Sequence, residues 1–352
     1  MNRLWHRQHK RLIMGKAMEK GKVPEEVLIR SVLNTIGHRR REVLVGPAVG
    51  QDCSAAAVDE GDVIVLSTDP ITGTSRGLGR LGTLITTNDI AAAGAEPIGI
   101  MMTLLLPEGF EEEALAALMA EAEETCQAIN VEIMGGHTEM TDAVNRPVIT
   151  VTGIGRIRRD KLNTLGDIRP GDAIIVTKSL ALEAVSILAA ERGEELKAYL
   201  PEALVTEAAG FGRYLSIIPE AAAAASCKIT SMHDITEGGV YGALWEMGAG
   251  AGLGLEVDGS TLPVTEAARA VCRVMRIDPC RAMSSGSLLI TTPEPETVLR
   301  AIREAGVEAV VIGHMTGAGE DRLVRYDDGR VRILDRPETD ALYEAISRKI
   351  ST

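Results

Sequence analysis

Four aspartates in this sequence have neighbours that suit metal and phosphate chemistry. Asp52, Asp69, Asp89 and Asp234 lie in the segments GQDCSAAAV, STDPITGTS, TTNDIAAAGAEP and HDITEGGV, each beside glycine or other small residues. Small residues let the backbone approach a phosphate closely, and carboxylate oxygens are ligands that Mg²⁺ prefers. Each aspartate could equally cap a helix or a turn. If folding brings them together, they form a nucleotide and metal site.

Two glycine pairs have the form of anion-binding turns. One follows the apolar run VEIM and the other opens a helix of small residues, so we expect loops whose backbone N–H groups could hold an anion. Ordinary turns would have the same composition, and the phosphate-loop pattern GxxxxGK[ST] is absent. The residues concerned are Gly135, Gly136, His137 and Thr138 in the first segment, and Gly238 and Gly239 in the second.

Three further features have both a chemical and a structural interpretation. His233 could act as a general base or support the neighbouring Asp234 from behind. Cys53 could be a reactive thiol, but we favour a small buried residue, as free cysteine usually is. The run Arg39-Arg40-Arg41 is interpreted as a solvated loop, with phosphate binding as the alternative.

The elements that must position these residues alternate between strands and helices. Apolar runs bounded by Gly, Pro and acids predict strands, whereas apolar residues at helical spacing predict amphipathic helices. The strands are 62–68, 97–106 and 147–155, and the helices are 25–36, 81–93 and 111–129. The sequence therefore predicts an α/β (α+β) domain.

A second round of the same alternation begins after RPGD at 169–172. Its predicted strands are 173–177, 287–292 and 307–312, and its predicted helices are 182–191, 202–215, 239–247 and 295–305. The polar segment between the rounds, at 156–170, predicts a boundary. We expect two domains, 1–160 and 161–352. Beyond 337 we expect a helix with Leu342, Tyr343 and Ile346 on one face.

Composition excludes several classes of protein. The 352 residues carry 37 Lys and Arg against 50 Asp and Glu, a net charge of −13 that makes nucleic acid an unsuitable partner. The five cysteines form no CxxC pair, which argues against a disulfide framework or a thiolate zinc site and favours the cytoplasm. No apolar run reaches the roughly 18 residues that a membrane span needs. We therefore expect neither nucleic acid nor membrane as a partner.

Taken in order, the motifs resemble those of the ATP-binding superfamily of aminoimidazole ribonucleotide synthetase. They are GQDCSAAAV, STDPIT, NDIAAAGAEPIGIMMTLLLPEG, GGHTE, VTGIG and HDITEGG, with SSGSLLI and GHMT beyond them. The later motifs look like the hydrogenase-maturation carbamoyl dehydratase branch. The resemblance implies a two-domain fold whose N-terminal domains pair into a dimeric β-barrel, with ATP and Mg²⁺ bound between the two domains of a chain.

The resemblance also implies roles for individual residues. Asp52, Asp69, Asp89 and Asp234 match acids that would hold the metal or its waters. Asn88, Gly135, Gly136, His137 and Thr138 would contact the nucleotide, together with Gly238 and Gly239. In the turn TKSLALE, Lys178 is the expected polar contact, and with Asp234 and His233 it makes up the expected catalytic group.

The chain departs from the family pattern in places that bear on function. Gln51 stands where many members carry an acid, and His137 stands where kinase-like members carry Asp, although GGHT itself is similar to the selenophosphate branch. The sequence ends RKIST, without the terminal cysteine that the carbamoyl dehydratase uses as acceptor. We expect ATP-dependent, iminophosphate-type activation of an amide-like or thio-oxygen in a small or carrier-bound substrate. The alternative is a non-catalytic nucleotide-binding scaffold that docks on a maturation partner.

Overall fold

The computed structural model of this chain describes residues 21–49, 53–71, 77–162, 164–336 and 339–348. Asp52 and Gln51 lie outside those residues, as does the end of the tail. The described residues fall into two compact units. Unit 1 takes them from Met1–Ala57, Thr68–Thr83 and Ile98–Gly153, and unit 2 from Val58–Ser67, Leu84–Pro97 and Ile154–Thr352. Each unit is therefore assembled from separate stretches of sequence.

The first half of the chain forms a five-stranded mixed sheet. Its strands are β1 (Gly21–Lys22), β4 (Asp62–Ile71), β5 (Glu96–Pro107), β6 (Glu132–Thr141) and β7 (Val148–Arg158), while β2 (Val43–Val45) and β3 (Ala55–Ala56) pair separately. The strand order is β1-β6-β5-β7-β4. β5 and β6 are parallel, whereas β1 and β6 are antiparallel. The three strands predicted in this half are confirmed.

The predicted helices of this half are also confirmed. They are α1 (Glu25–Val27), which continues as a π turn (Leu28–Val32) and a 3₁₀ turn (Leu33–Thr35), α2 (Leu78–Ala92) and α3 (Glu112–Ile129). Glu112 fixes the first segment against α3, because its carboxylate accepts hydrogen bonds from Arg30 Nη2 at 2.6 Å and Ser31 Oγ at 2.8 Å. Asn130 ends α3 in the left-handed conformation.

The second half forms a seven-stranded mixed sheet. Its strands are β8 (Ala173–Thr177), β9 (Ser231–Asp234), β10 (Leu255–Asp258), β11 (Leu288–Thr292), β12 (Ala309–Met315), β13 (Arg322–Arg325) and β14 (Val331–Ile333). The order is β14-β13-β10-β12-β8-β11-β9. β10 and β13 are parallel, and β8 is antiparallel to both of its neighbours. Four short strands, β9, β10, β13 and β14, were not predicted, because three or four residues are too few for a periodic signal.

Helices cover both faces of the seven-stranded sheet. They are α4 (Leu182–Leu196), α5 (Glu202–Ala209), α6 (Ile218–Ala225), α7 (Gly239–Ala251), α8 (Glu266–Met275), α9 (Pro295–Glu304) and α10 (Ala341–Ser347). Successive residues of β8 point to opposite faces. Ile174 lies in a core with Leu244 of α7, whereas Ile175 lies in a core with Ile302 of α9. α6 and α8 are additions to the predicted set.

Across the described ranges, no helix has both the length and the apolar character needed to cross a membrane.

Candidate functional site

The segment from Gly135 to Thr138 lies within β6, so the expected loop after VEIM is wrong. β6 stays paired with β5 through this segment, with Met102 opposite Gly136. Gly136 has φ +155°, and a Cβ there would overlap the carbonyl oxygen of Met102. The glycine is required because two strands approach closely, and the register between them shifts after Ile100.

These strand residues line a cavity in unit 1. Gly135, Gly136, His137 and Thr138 all contribute to its wall, and its volume is about 470 Å³. That volume is within the range of small-molecule sites, which are mostly apolar with a few placed polar groups. Apolar residues from the first helical segment and from the strands supply most of the rest, among them Leu28, Val32, Ile36, Met101 and Ile133.

The polar side chains that line the cavity are those of Glu25, Ser54, His137 and Thr138. Ser54 Oγ donates to the carbonyl oxygen of Met134 at 2.5 Å. His137 Nε2 lies 3.0 Å from Glu139 Oε2, two residues along on the same face of β6. Thr138 is buried, while the His137 side chain is 41% exposed. The cavity can therefore offer a carboxylate, an imidazole and two hydroxyls beside an apolar wall.

Cys53 also lines this cavity and is exposed, so the prediction of a buried cysteine is wrong. The flanking alanines suggested burial. They belong instead to the exposed short strand β3.

The aspartates expected to hold metal are distributed over both units. Asp69 belongs to unit 1 and lies on β4, two residues after Ser67. Asp89, in unit 2, lies on α2 and accepts a hydrogen bond from Ser67 Oγ at 2.5 Å. Within the described residues, no group of three or more His, Cys, Asp or Glu side chains is placed to hold a metal ion. Asp52 lies outside that search, so the four-aspartate metal site stays a prediction.

Asp234 and His233 end β9 in unit 2. His233 Nε2 lies 3.2 Å from Glu246 Oε2, and its Nδ1 lies 3.7 Å from Asp234 Oδ1. Burial opposes a charge on His233, but the attraction of the two carboxylates outweighs it and raises the pKa of the imidazole to about 10. An imidazolium has no lone pair for a proton, so this geometry favours the supporting role over the general base. Asp234 is buried, and its Oδ2 makes no hydrogen bond to any described residue.

Lys178 is occupied by contacts within unit 2. Its ammonium donates to the carbonyl oxygens of Tyr214, Ser216 and Gly286, at 3.1, 2.6 and 2.5 Å. It also lies 2.6 Å from Glu220 Oε1. Burial lowers the pKa of Lys178, while Glu220 raises it. The three N–H bonds of the Lys178 ammonium already have four acceptors within the protein. Lys178 therefore makes a structural contact, where the sequence predicted a contact with substrate.

Asn88 likewise holds the fold of unit 2 together. It is fully buried on α2, and its Nδ2 donates to the Leu215 carbonyl oxygen at 2.7 Å. Its Oδ1 accepts from the backbone N–H of Ile217 at 3.0 Å. Both polar atoms of the Asn88 amide therefore bond to backbone groups. These contacts give Asn88 a structural role in place of the expected contact with the nucleotide.

The glycine pair at the start of α7 does not present open N–H groups. The N–H of Gly238 donates to Asp340 Oδ2 at 2.8 Å, and that of Gly239 donates to the Thr236 carbonyl oxygen at 3.1 Å. A Cβ on Gly239 would lie 2.6 Å from the Cys280 carbonyl oxygen. The expectation of an open cradle at this pair is therefore corrected: the carboxylate of Asp340 already occupies the N–H of Gly238.

Two family descriptions match this sequence consecutively. Residues 50–157 match "AIR synthase related protein, N-terminal domain", and residues 169–325 match "AIR synthase related protein, C-terminal domain". The chain belongs to the AIR synthase related family. The resemblance seen in the motifs is thereby confirmed.

Within that family the chain is similar to hydrogenase-maturation proteins. It is 29% identical over 295 residues to carbamoyl dehydratase HypE of Rhodobacter capsulatus, covering 80% of this chain and 84% of that one. It is 28% identical over 269 residues to a provisionally named hydrogenase expression/formation protein of Methanocaldococcus jannaschii, covering 75% and 78%. The crystal structure of HypE in complex with ATP superposes with a TM-score of 0.72 at 23% identity, covering 92% and 97%. The two-domain α/β fold is therefore confirmed.

Two buried acids of this AIR synthase related chain carried no sequence signal. Asp340, fully buried, accepts from Gly238 and also from the Leu342 N–H at 2.8 Å, and burial raises its pKa. Glu183 on α4 is buried with one oxygen unpartnered among the described residues, and burial raises its pKa to about 7. Asp340 belongs to no motif, and Glu183 ends the segment TKSLALE without having been singled out there. Only the fold relates Glu183 to Asp234, whose charge raises the pKa of Glu183 further.

Proposed function

We propose that this chain binds ATP in the unit 1 cavity and uses it to activate an amide-like or thio-oxygen, as the name of its carbamoyl dehydratase relatives suggests. The observation that carries the proposal is the cavity wall formed by Gly135 to Thr138, at the point where the family motif GGHTE falls. A glycine-lined wall lets phosphate approach the backbone, and the apolar residues suit a nucleobase. The substrate would be a small molecule or a carrier-bound group.

The proposed reaction has two steps, phosphoryl transfer and then elimination of phosphate. In the first step the carboxamide oxygen attacks the γ-phosphorus of ATP, and the bond from that phosphorus to the ADP oxygen breaks. One N–H proton leaves the amide, which gives an imidate phosphate. Elimination of phosphate with loss of the second N–H proton then gives a nitrile. Such phosphoryl transfer depends on positioning and charge neutralisation more than on covalent catalysis by the protein.

We propose that Mg²⁺ accompanies ATP, with the carboxylates of Asp52 and Asp69 as its candidate ligands. Carboxylate oxygens are the donors that a hard cation such as Mg²⁺ prefers. The described residues hold no complete ligand group, so no step of the reaction is assigned to the ion. Calorimetry should show ATP affinity falling at least tenfold with chelator, and again in Asp69→Ala. Equal affinity with and without Mg²⁺ would refute the metal assignment.

Oxygen transfer tests the chemistry directly. A peptide with an S-carbamoyl cysteine, labelled with ¹⁸O in the carbamoyl oxygen, is incubated with the protein and ATP. We expect ADP release and ¹⁸O in the phosphate, measured by mass spectrometry. His137→Ala should weaken ATP binding, whereas His314→Ala, an exposed histidine on β12, should not. ADP release with unlabelled phosphate for this peptide and for free carboxamides would overturn the activation of an amide oxygen.

A nucleotide-binding scaffold is the second candidate. The engagement of Lys178 by three carbonyls favours it, because a residue expected in the catalytic group is bound to the protein itself. ATP binding without ADP release, across amides, thiocarboxamides and phosphorylated vitamins, would select the scaffold.

We further propose that the chain works as a cytoplasmic homodimer. The five cysteines without a CxxC pair support the compartment, and the apolar face of β4 supports the dimer.

A further inference from the structure

His137 is paired with a carboxylate at the wall of the unit 1 cavity. Its Nε2 lies 3.0 Å from Oε2 of Glu139, and the two side chains lie on the same face of β6. His137 lines the cavity and 41% of its side chain is exposed, so a ligand can reach the ring. Because a carboxylate only accepts hydrogen bonds, Nε2 carries the proton between them, and Nδ1 is the nitrogen left for a ligand.

The backbone that carries this pair is fixed on both sides. β6 lies between β1 and β5 in the five-stranded sheet. Glu139 is opposite Lys22 of β1 and Leu105 of β5, and His137 is opposite Thr103 of β5. A site on a paired strand keeps its side chains in place more precisely than a site on a loop does.

The two-step reaction described above needs a base that takes an N–H proton in each step. Among the described residues that line the cavity, Glu25, Cys53 and His137 have side chains that can accept a proton. A carboxylate is a far weaker base than an imidazole, and a thiol must first lose its own proton. His233 and Lys178 lie in unit 2, where carboxylates of the same unit engage them. His137 is therefore the base that the described part of the cavity wall offers.

We propose that His137 Nδ1 is the general base of this reaction and that Glu139 is the residue that positions it, an assignment that rests on the proposed function. The glycine wall where phosphate would bind, Gly135 and Gly136, immediately precedes His137. The base therefore lies beside the phosphoryl group that is transferred. Glu139 keeps a proton on Nε2 and stabilises the imidazolium that forms when Nδ1 takes a second one.

The protons and electrons of both steps balance through this nitrogen. In the first step the lone pair of Nδ1 takes an amide proton, and the electrons of the broken N–H bond form the C=N bond. The carbonyl π electrons form the bond from oxygen to the γ-phosphorus as ADP leaves. The exposed ring then passes its proton to water. In the second step Nδ1 takes the remaining N–H proton, those electrons complete the nitrile, and the C–O bond breaks with its electrons leaving on phosphate.

Single-turnover kinetics at saturating ATP test both roles, with the S-carbamoyl cysteine peptide as substrate. Glu139→Gln should lower the rate of ADP release about 100-fold, because the Gln amide can donate to Nε2 and leave the ring proton on Nδ1. ATP affinity, measured by calorimetry, should change less than about threefold, since the ring itself remains. Glu139→Asp keeps the carboxylate and should recover roughly a tenth of the native rate or more. Glu113→Gln on α3, exposed and not part of the cavity wall, is the matched control and should react as the native chain does.

Chemical rescue separates a base from a structural residue. Imidazole added to His137→Ala should raise its rate at saturating ATP about fivefold or more, but should not accelerate Glu139→Gln, in which the His137 ring still fills the site. Thermal melting checks that each variant is folded. A native rate in Glu139→Gln, a defect in that variant that more ATP removes, or no rescue of His137→Ala would overturn this assignment and leave amide activation in place. No ADP release by the native chain with any amide would overturn the proposed function and the assignment together.

Discussion

Adjacent glycines in β6 meet different constraints. A Cβ on Gly136 would overlap backbone of the neighbouring strand, whereas a Cβ on Gly135 would meet Ser54 Oγ at 2.8 Å, the end of a side chain that can rotate. Backbone cannot move without breaking the ladder between β5 and β6, but a serine hydroxyl can. The two positions therefore differ in what they tolerate, although both line the cavity.

We predict that Gly136→Ala destabilises the protein far more than Gly135→Ala. The first should lower the free energy of unfolding by about 3 kcal/mol or more, because strand pairing must shift. The second should cost about 1 kcal/mol, the loss of the bond from Ser54 to Met134. Denaturant unfolding measures both. Equal losses of unfolding free energy in the two variants would mean that the strands accommodate a Cβ at Gly136 without a further energetic cost.

Glu42 is a buried carboxylate stabilised by charge. Its two oxygens accept from Arg40 Nε at 3.0 Å and Nη2 at 3.1 Å. Burial alone would raise its pKa, but hydrogen bonds from Arg40, from backbone and from Arg41 outweigh burial and lower the pKa to about 2. The folded pKa lies below the ordinary value of 4.5, so the stabilisation is present above pH 4.5 and is lost as pH falls towards 2.

We predict that Glu42→Gln loses stability in a pH-dependent way. At pH 7 the variant should be less stable than the native chain by roughly 3 kcal/mol, and the gap should narrow steadily as pH falls from 4.5 to 3. Urea unfolding across that range measures it. Glu60→Gln, at an exposed position, is the control and should show a gap below about 0.5 kcal/mol. A gap for Glu42→Gln that does not change with pH would contradict the assignment.

The last helix, α10, is fixed at both ends by side chains. Asp340 caps its first turn, and Arg192 of α4 donates from Nη1 to the carbonyl oxygens of Ala345 and Arg348, at 3.1 and 2.6 Å. Its buried face contains Leu342 and Ala345, while Tyr343 is exposed. The predicted helix is confirmed, and on the face predicted for Leu342, Tyr343 and Ile346 the side chain of Tyr343 is 38% exposed.

We predict that Arg192→Gln loosens α10. Two carbonyls at its C-terminal end lose their donor, which should cost about 1–2 kcal/mol of local stability. Hydrogen exchange of residues 341–347 should accelerate by about tenfold, with ATP affinity changed less than threefold. Lys197→Gln is the control, since its ion pairs with Glu194 and Glu202 are on the surface. Unchanged exchange in Arg192→Gln would show that packing of Leu342 alone holds the helix.

At the scale of the whole molecule, β4 is the last strand in the order of the five-stranded sheet. Ile64 and Leu66, two residues apart on one face, are 45% and 65% exposed. Large apolar side chains on an edge strand are a surface that proteins usually cover, since unpaired edges promote association. A second copy of this chain is the partner we expect there.

We predict that Leu66→Glu gives a monomer. The native chain should scatter light as a dimer of about 75 kDa, twice its mass of 37.5 kDa, and the variant as the single chain. Burying an unpaired carboxylate at the interface would cost more free energy than the apolar contact contributes. Leu162→Glu, an exposed leucine outside the strands, should remain dimeric. Scattering at 37.5 kDa by the native chain at micromolar concentration would refute the homodimer.

Periodicity and motif order determined the larger features of this protein from the sequence alone. Apolar runs such as 97–106 become strands because their alternate side chains pack into a core, here those of Ile98, Ile100, Met102, Leu104 and Leu106. The segments GGHTE and NDIAAAGAEP indicated the family before any geometry, since glycine and small residues mark places where backbone comes close. Those requirements are local, so they are visible along the chain.

Tertiary structure decided what individual polar groups do. Lys178 meets Glu220 and three carbonyls, Asn88 meets Leu215 and Ile217, and neither partner set is near in sequence. Residue type gives the capacity of a side chain to donate or accept, but its partners depend on contacts between residues far apart in the chain. The sequence could therefore predict that Gly238 binds an anion. Only the fold could show that the N–H of Gly238 already donates to the carboxylate of Asp340, 102 positions later.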